Sequence, residues 1–140
     1  MIWSRKPRLV VDTNVFVSGI LFGGTPRKIL THVKERNVVL LISPELEHEI
    51  LEKLTKFDAL GELYEDMRFM LAHGALKVVP TQSVTVCRDP KDNMLLALAR
   101  EGNADVLITG DRDLLVLKYF EHTAIMTPRQ FLASAAKTKN

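Results

Sequence analysis

Two apolar segments of the chain end alike. Val10-Val11-Asp12-Thr13-Asn14 and Leu107-Ile108-Thr109-Gly110-Asp111 each run into an aspartate with a threonine close by. Two further acidic groups stand in comparable settings. Asp89-Pro90-Lys91-Asp92-Asn93 opens a segment of helical period, and Glu45, Glu47 and Glu49 follow the apolar run Val38-Val39-Leu40-Leu41-Ile42. If the apolar runs are parallel strands, their carboxyl ends share one edge of a sheet, where ligands of α/β proteins bind. Carboxylates gathered there from distant parts of a chain repel one another unless a cation neutralises them. The available donors are oxygens. Cys87 is the only cysteine, and His32, His48, His73 and His122 lack the spacing of a metal-binding pair. Such a set suits magnesium or manganese better than zinc.

Each acid taken alone also has a plain structural use. Asp12 can end a strand as a turn or helix cap. Asp89 precedes Pro90 and reads as an N-cap with proline at the first helical position. Asp92 then falls in the first helical turn, where an acid favours the helix dipole, as does Glu45 in its own helix. Asp111 and Asp113 flank Arg112 after a Gly-Asp turn. Glu47 and Glu49 flank the apolar face Leu46, Ile50, Leu54 and Phe57 on opposite sides, and helical geometry does not choose between them. The argument for a site rests on convergence of the four groups.

The elements that would converge them are legible. Short apolar runs at 8–12, 38–42, 76–80, 105–109 and 123–126 read as strands, alternating with helix-period segments at 26–36, 44–55, 59–74, 90–101 and 128–136. That alternation predicts an α/β fold with a largely parallel sheet of about five strands. Thr25-Pro26, Ser43-Pro44, Asp89-Pro90 and Thr127-Pro128 each pair a capping residue with proline, and Thr127 and Gln130 have capping-box spacing. The loop following Asp12-Thr13-Asn14 reads as mobile because of Gly19, Gly23 and Gly24, 55–61 reads as a break between helices, 84–88 as ambiguous, and 111–118 as a short helix or loop. The 140 residues suffice for one domain with a buried core, with flexible ends expected at 1–7 and 137–140.

Composition narrows the class. Hydrophobic residues make up 46% and charged residues 26%, as in ordinary globular proteins. No apolar run approaches the ~18–20 residues of a membrane span. The basic start, Met1 to Arg8, lacks the apolar stretch of a signal peptide, so the cytoplasm is the expected compartment. Net charge is only +2, yet several acids are assigned to one pocket, which leaves the remaining surface more positive. A negative pocket rimmed by Arg88, Lys91 and Arg112 fits a phosphodiester held over a cation. Arg5, Lys6 and Arg8 are candidates to extend that basic path. No phosphate-binding loop, dinucleotide fingerprint or serine elbow is present.

Asp12-Thr13-Asn14, Ser43 with Glu49 six positions later, Asp89-Pro90-Lys91-Asp92, and Ala104-Asp105 through Thr109-Gly110-Asp111 resemble, in order, the motifs of PIN-domain nucleases. The resemblance is closest to the toxin-component (VapC-like) subgroup of bacterial toxin–antitoxin systems and runs from Arg8 to Phe131. It implies catalytic and metal-binding roles for Asp12, Glu49, Asp92 and Asp111, which selects Glu49 over Glu47. It implies accessory roles for Asp89 and Asp113, and supporting contacts from Asn14, Ser43 and Thr109. It further implies a three-layer α/β/α fold with helices on both faces of a central, mainly parallel sheet, one or two Mg²⁺ or Mn²⁺ ions, an RNA substrate, a homodimer or higher oligomer, and an inhibitory antitoxin partner.

The expected activity is metal-assisted hydrolysis of RNA phosphodiesters, with no side-chain nucleophile. Two other classes compete. The first strand also resembles that of haloacid-dehalogenase phosphatases, but their second aspartate is replaced here by Asn14. A metal-dependent phosphatase or phospho-acceptor domain therefore ranks lower. The other competitor is a module that binds RNA or a protein partner without turnover.

Overall fold

In the computed structural model, which describes residues 5–138, six strands form one sheet in the order β3-β2-β1-β4-β6-β5. The strands are β1 (Arg8–Val11), β2 (Val39–Ile42), β3 (Leu76–Lys77), β4 (Val106–Ile108), β5 (Tyr119–Phe120) and β6 (Thr123–Met126). All pairings are parallel except that of β5 with β6. The described residues also hold seven α-helices: α1 (Thr13–Leu21), α2 (Gly24–Lys34), α3 (Pro44–Lys56), α4 (Glu62–Phe69), α5 (Pro90–Glu101), α6 (Arg112–Leu115) and α7 (Pro128–Thr138). Residues 1–4 and 139–140, which include parts of the expected flexible ends, lie outside the described residues.

The two central strands explain the fold's stability and its polarity. Leu9, Val10 and Val11 of β1 and Val106, Leu107 and Ile108 of β4 are almost wholly buried. A strand covered on both faces reads as an unbroken apolar run, and these two do. Val11 lies opposite Ile108 in register, so the next residues, Asp12 and Thr109, emerge side by side. The chain builds outward from β1 to β2 and β3 on one side, then returns to place β4 and β6 on the other. The β1–β4 boundary is thus the point where strand order reverses, and a crevice opens there beyond the carboxyl ends.

Three of the capping expectations hold at atomic detail. Ser43 Oγ accepts from the Leu46 amide, Asp89 accepts from the Lys91 amide, and Thr127 and Gln130 form a reciprocal box. The fourth does not: α2 begins at Gly24 and is preceded by Gly23 with φ of 82°, so Pro26 sits inside the first turn and Thr25 does not cap. The sheet gains a sixth strand, because 119–120 folds back antiparallel against β6. β3 is short, and the helix expected over 59–74 starts at Glu62 and ends in a π turn, Met70–Gly74.

The mobile loop expected after Asp12 is instead a helix. α1 buries Val15, Phe16, Val17 and Ile20, and its glycine serves packing. A Cβ on Gly19 would lie 2.8 Å from Leu30 Cδ1 and 3.0 Å from the Pro26 carbonyl oxygen, both on α2. Only glycine lets the two helices approach this closely. Arg27 then reaches back to donate to the carbonyls of Gly19 and Ile20, satisfying acceptors left open at the end of α1. This rigid start fixes Asp12 at the junction of β1 and α1.

Candidate active site

Asp12, Glu49, Asp92 and Asp111 line one cleft of about 200 Å³, together with Thr13, Asn14, Lys53, Asp89, Lys91, Met94 and Leu95. The carboxylates come from four elements. Asp12 follows β1, Glu49 lies on the second turn of α3, Asp92 in the first turn of α5, and Asp111 at the start of α6. Asp12 stands at the N-cap of α1, but its side chain does not cap that helix. Its Oδ2 instead accepts a 2.7 Å bond from the buried Thr109 hydroxyl. Thr109 Oγ1 in turn accepts from the Asp111 amide at 3.0 Å. One hydroxyl therefore ties the acid after β1 to the acid after β4.

Asp92 is the most buried of the four acids: it is 4% exposed, and among the described residues its Oδ2 has no hydrogen-bond partner. A buried carboxylate oxygen without a donor is costly unless the group is protonated or meets a cation. Accordingly its pKa is pushed up to about 7, first by desolvation and then by proton sharing with and repulsion from Asp111, with further repulsion from Asp89 and Asp12. Asp12 is raised as well, mainly by burial, against the opposing Thr109 bond. These acids are held closer, and drier, than their charges alone would tolerate.

Carboxylate oxygens of Asp92, Asp111 and Asp113 all lie within 4.8 Å of one another. The trio thus includes Asp113, an accessory acid in the motif comparison, while Asp12 and Glu49 face the same cleft from its other walls. With donors that are all oxygens and an orphaned buried oxygen on Asp92, this pocket fits a hard divalent cation. Asp12, Glu49, Asp92 and Asp111 all face this cleft, with Asp113 beside Asp92 and Asp111.

The other sequence candidates fall into distinct places. Glu47 is drawn away from the cleft by a 2.7 Å ion pair with Lys77. Ser43 is buried as the cap of α3, and it touches a different groove. Asp89 lines the cleft while capping α5, and Asp111 caps α6 through the Asp113 amide. Arg88 pairs with Asp113 at 3.0 Å, with its side chain 88% exposed, while Lys91 lines the cleft and Arg112 is exposed beside it. The basic path expected from Arg5 and Arg8 is not at this end. Arg5 binds Asp105 and Arg8 binds the Gly102 carbonyl, both at the amino end of the central strands. Lys6 lines a small pocket with Val33, Arg36 and Val38, apart from the acids.

Two contributors escaped the sequence reading. Lys53 lines the cleft and donates to Asn14 Oδ1 at 2.7 Å. Its position one helical turn beyond Glu49 was the available signal. Asn93 brackets the Cys87 backbone through both its amide oxygen and nitrogen, fastening the loop before Asp89 to α5. No local pattern marks that contact.

The cleft also continues outward. Asp12, Asn14 and Asp111 form part of a wider groove of about 490 Å³ with Val15, Ser18, Pro26, Gly110 and Pro128. On the side of Met94 a larger groove of about 720 Å³ runs between the start of α3, residues 79–85 and α5.

A sheet edge that collects carboxylates from four elements defines an acid-lined, cation-accepting α/β domain. Comparison with known sequences gives it a family: residues 8–113 match the PIN domain, and the chain belongs to that family. Its members are generally metal-dependent nucleases. The chain is also 34% identical to an uncharacterized protein of Methanocaldococcus jannaschii, over 94% of each chain. Among the described residues no helix is long and apolar enough to cross a membrane.

Proposed function

We propose that the protein is a metal-dependent endoribonuclease that hydrolyses RNA phosphodiester bonds. The observation that carries this reading is Asp92 Oδ2, a buried carboxylate oxygen without a donor, in a cleft shared with Asp12, Glu49 and Asp111. Asp12, Glu49, Asp92 and Asp111 would hold one or two Mg²⁺ or Mn²⁺ ions, which when bound would supply Lewis-acid chemistry: a more acidic water and countercharge for the phosphate. Thr109 keeps Asp12 aimed and couples its position to that of Asp111. Asp92 would have to release its proton to hold a cation, so affinity should rise with pH around neutrality. In the net reaction water adds to phosphorus and loses a proton to solvent, while the bond to the leaving ribose oxygen breaks and that oxygen takes up a proton.

Two features favour an internal cut in a polynucleotide. Grooves leave the cleft on two sides, one through Asp12 and Asp111 and one past Met94, giving a chain a path in and out. Arg88, Lys91 and Arg112 would contact phosphates flanking the cut; Lys91 lines the cleft, and Arg88 and Arg112 are exposed. In this reading residues 1–140 act as a single cytoplasmic nuclease domain, as the toxin of a toxin–antitoxin pair. It would work as a homodimer or higher oligomer and be silenced by a cognate antitoxin.

The deciding experiment incubates purified protein with a pool of structured and single-stranded RNA in Mn²⁺, Mg²⁺ or EDTA, beside Asp12→Asn. Cuts that need the metal and vanish in the variant support the reading. Bound Mn²⁺ with no cuts at any protein concentration overturns it in favour of a binding module.

A further inference from the structure

The acidic cleft contains a cation of its own. Lys53 rises from α3 one turn after Glu49, lines the same cleft as Asp12, Glu49, Asp92 and Asp111, and is only partly exposed. Its ammonium donates at 2.7 Å to Asn14 Oδ1. A lysine can only donate, so the oxygen of the Asn14 amide must face it. The partner is neutral. Of the nearby cations, Lys77 is paired with Glu47 and Arg88 with Asp113, while Lys91, which also lines the cleft, has an exposed side chain with no fixed partner among the described residues. An amide clamp on a lysine fixes the ammonium in place and leaves its charge uncancelled. That arrangement is poorly explained as structural glue, because carboxylates of the cleft would make stronger partners.

We propose that Lys53, held by Asn14, seats the scissile phosphate by contacting one of its non-bridging oxygens. The assignment rests on the nuclease reading and adds the side chain that recognises the substrate's anion. An acidic cleft repels a phosphodiester until a divalent ion binds, and even then charge remains to be matched. A fixed ammonium on the wall supplied by α3 meets that need, acting as a point charge on the phosphate. The same ammonium opposes the divalent cation. Lys53 therefore has effects of opposite sign on the two ligands, whereas loss of a lysine that only supported the fold would weaken both.

The test uses the whole chain, Lys53→Met, Lys53→Arg and Asn14→Ala, with two ligands measured separately. Mn²⁺ alone is titrated calorimetrically. A single-stranded RNA oligonucleotide is followed by anisotropy with Ca²⁺ in place of the catalytic ion, across a salt series. Lys53→Met is expected to bind Mn²⁺ roughly threefold to tenfold more tightly, since a repelling charge is gone. It is expected to bind the oligonucleotide less tightly, with the salt slope reduced by about 0.7, one phosphate contact on a single strand. Lys53→Arg should retain most of the oligonucleotide affinity, and Asn14→Ala should lose part of it. In cleavage of the RNA pool the Lys53→Met loss should show in kcat/KM. Unchanged salt slope with unchanged Mn²⁺ affinity overturns the proposal, as does weaker binding of both ligands. Wild-type cleavage with an unaffected Lys53→Met variant sinks the lysine and leaves the nuclease reading standing. A wild type that binds Mn²⁺ but neither binds nor cuts RNA removes both.

Discussion

Asp105, just before β4, and Asp92, in the first turn of α5, are both largely buried aspartates of the same domain, and they are treated in opposite ways. Asp105 lies just before β4, at the amino end of the sheet. It accepts from Arg5 at 2.9 and 3.0 Å and from the Arg8 amide at 2.7 Å, with its side chain 17% exposed. Asp92, at the carboxyl end, has an oxygen with no donor and three acids for company. One end of the sheet satisfies its carboxylate and uses it to tie the N-terminal segment to the strand. The other end leaves one buried carboxylate oxygen, on Asp92, without a donor, while a buried threonine holds the neighbouring acids. A fold arranged only for stability would not leave the second set in that condition, so the contrast separates structural acids from those kept for a ligand.

The largest expected effect breaks the carboxyl end. Asp12→Asn or Asp111→Asn should reduce metal-dependent cleavage by ~10³-fold or more, since the charge that holds the cation is gone. The metal-free protein should melt at the same temperature or higher, because a repulsion among buried charges has been removed. A large drop in the metal-free melting temperature would place these acids with Asp105 instead. The mirror experiment is Asp105→Ala. It leaves the Arg8 amide without its acceptor and removes the Arg5 contact, at a cost of about 1–3 kcal/mol in chemical denaturation. Cleavage rate at a temperature where both proteins are folded should be unchanged.

A pH series sharpens the same contrast. The folded pKa of Asp92 is about 7, well above the ordinary carboxylate value, and Asp12 is raised in the same direction. The folded state therefore holds protons that the unfolded chain releases near pH 4. Their stabilising effect is complete below pH 4 and is lost as pH climbs toward 7, so the metal-free protein should weaken across that window. Saturating Mn²⁺ should flatten the slope, because the cation replaces the protons. Asp92→Asn should flatten it without metal. A metal-free stability that rises between pH 5 and 7 in the wild type and not in Asp92→Asn would contradict the placement of Asp92.

Much of this site could be read before any coordinates, and the reasons are local. The β1 and β4 runs are unbroken because both faces are covered, and Ser43, Asp89 and Thr127 announce their helices because capping is a short-range hydrogen bond. What stayed hidden depends on contacts far apart in sequence. α1 reads as a loop because Gly19 is a poor helix former, and its use becomes plain only when α2 lies against it. β5 has two residues and exists only through its pairing with β6. The Thr109 bridge joins residues 97 positions apart, and Asn14 and Lys53 are separated by 39. The true direction of the basic N-terminal segment was equally illegible, since nothing in Arg5 or Arg8 announces that Asp105 and Gly102 will receive them.

The smallest expected effect comes from two neighbours on one helix. Glu47 and Glu49 flank the same apolar face of α3, and helical geometry does not separate them. Their surroundings do. Glu47 is bound by Lys77, whose ammonium also donates to the Leu71 carbonyl, whereas Glu49 faces the cleft and makes no hydrogen bond among the described residues. Glu47→Gln should therefore cost no more than about 1 kcal/mol, the ordinary value of a partly exposed pair, and leave cleavage intact. Glu49→Gln should leave stability intact and weaken Mn²⁺ binding, together with cleavage. The comparison is sensitive because size and helix position are nearly matched, so a difference in metal affinity has one cause, the side of α3 on which the charge sits. Equal Mn²⁺ affinities for the two variants would mean that α3 supplies no ligand, and that the cation is held by Asp92, Asp111 and Asp113 with Asp12 alone.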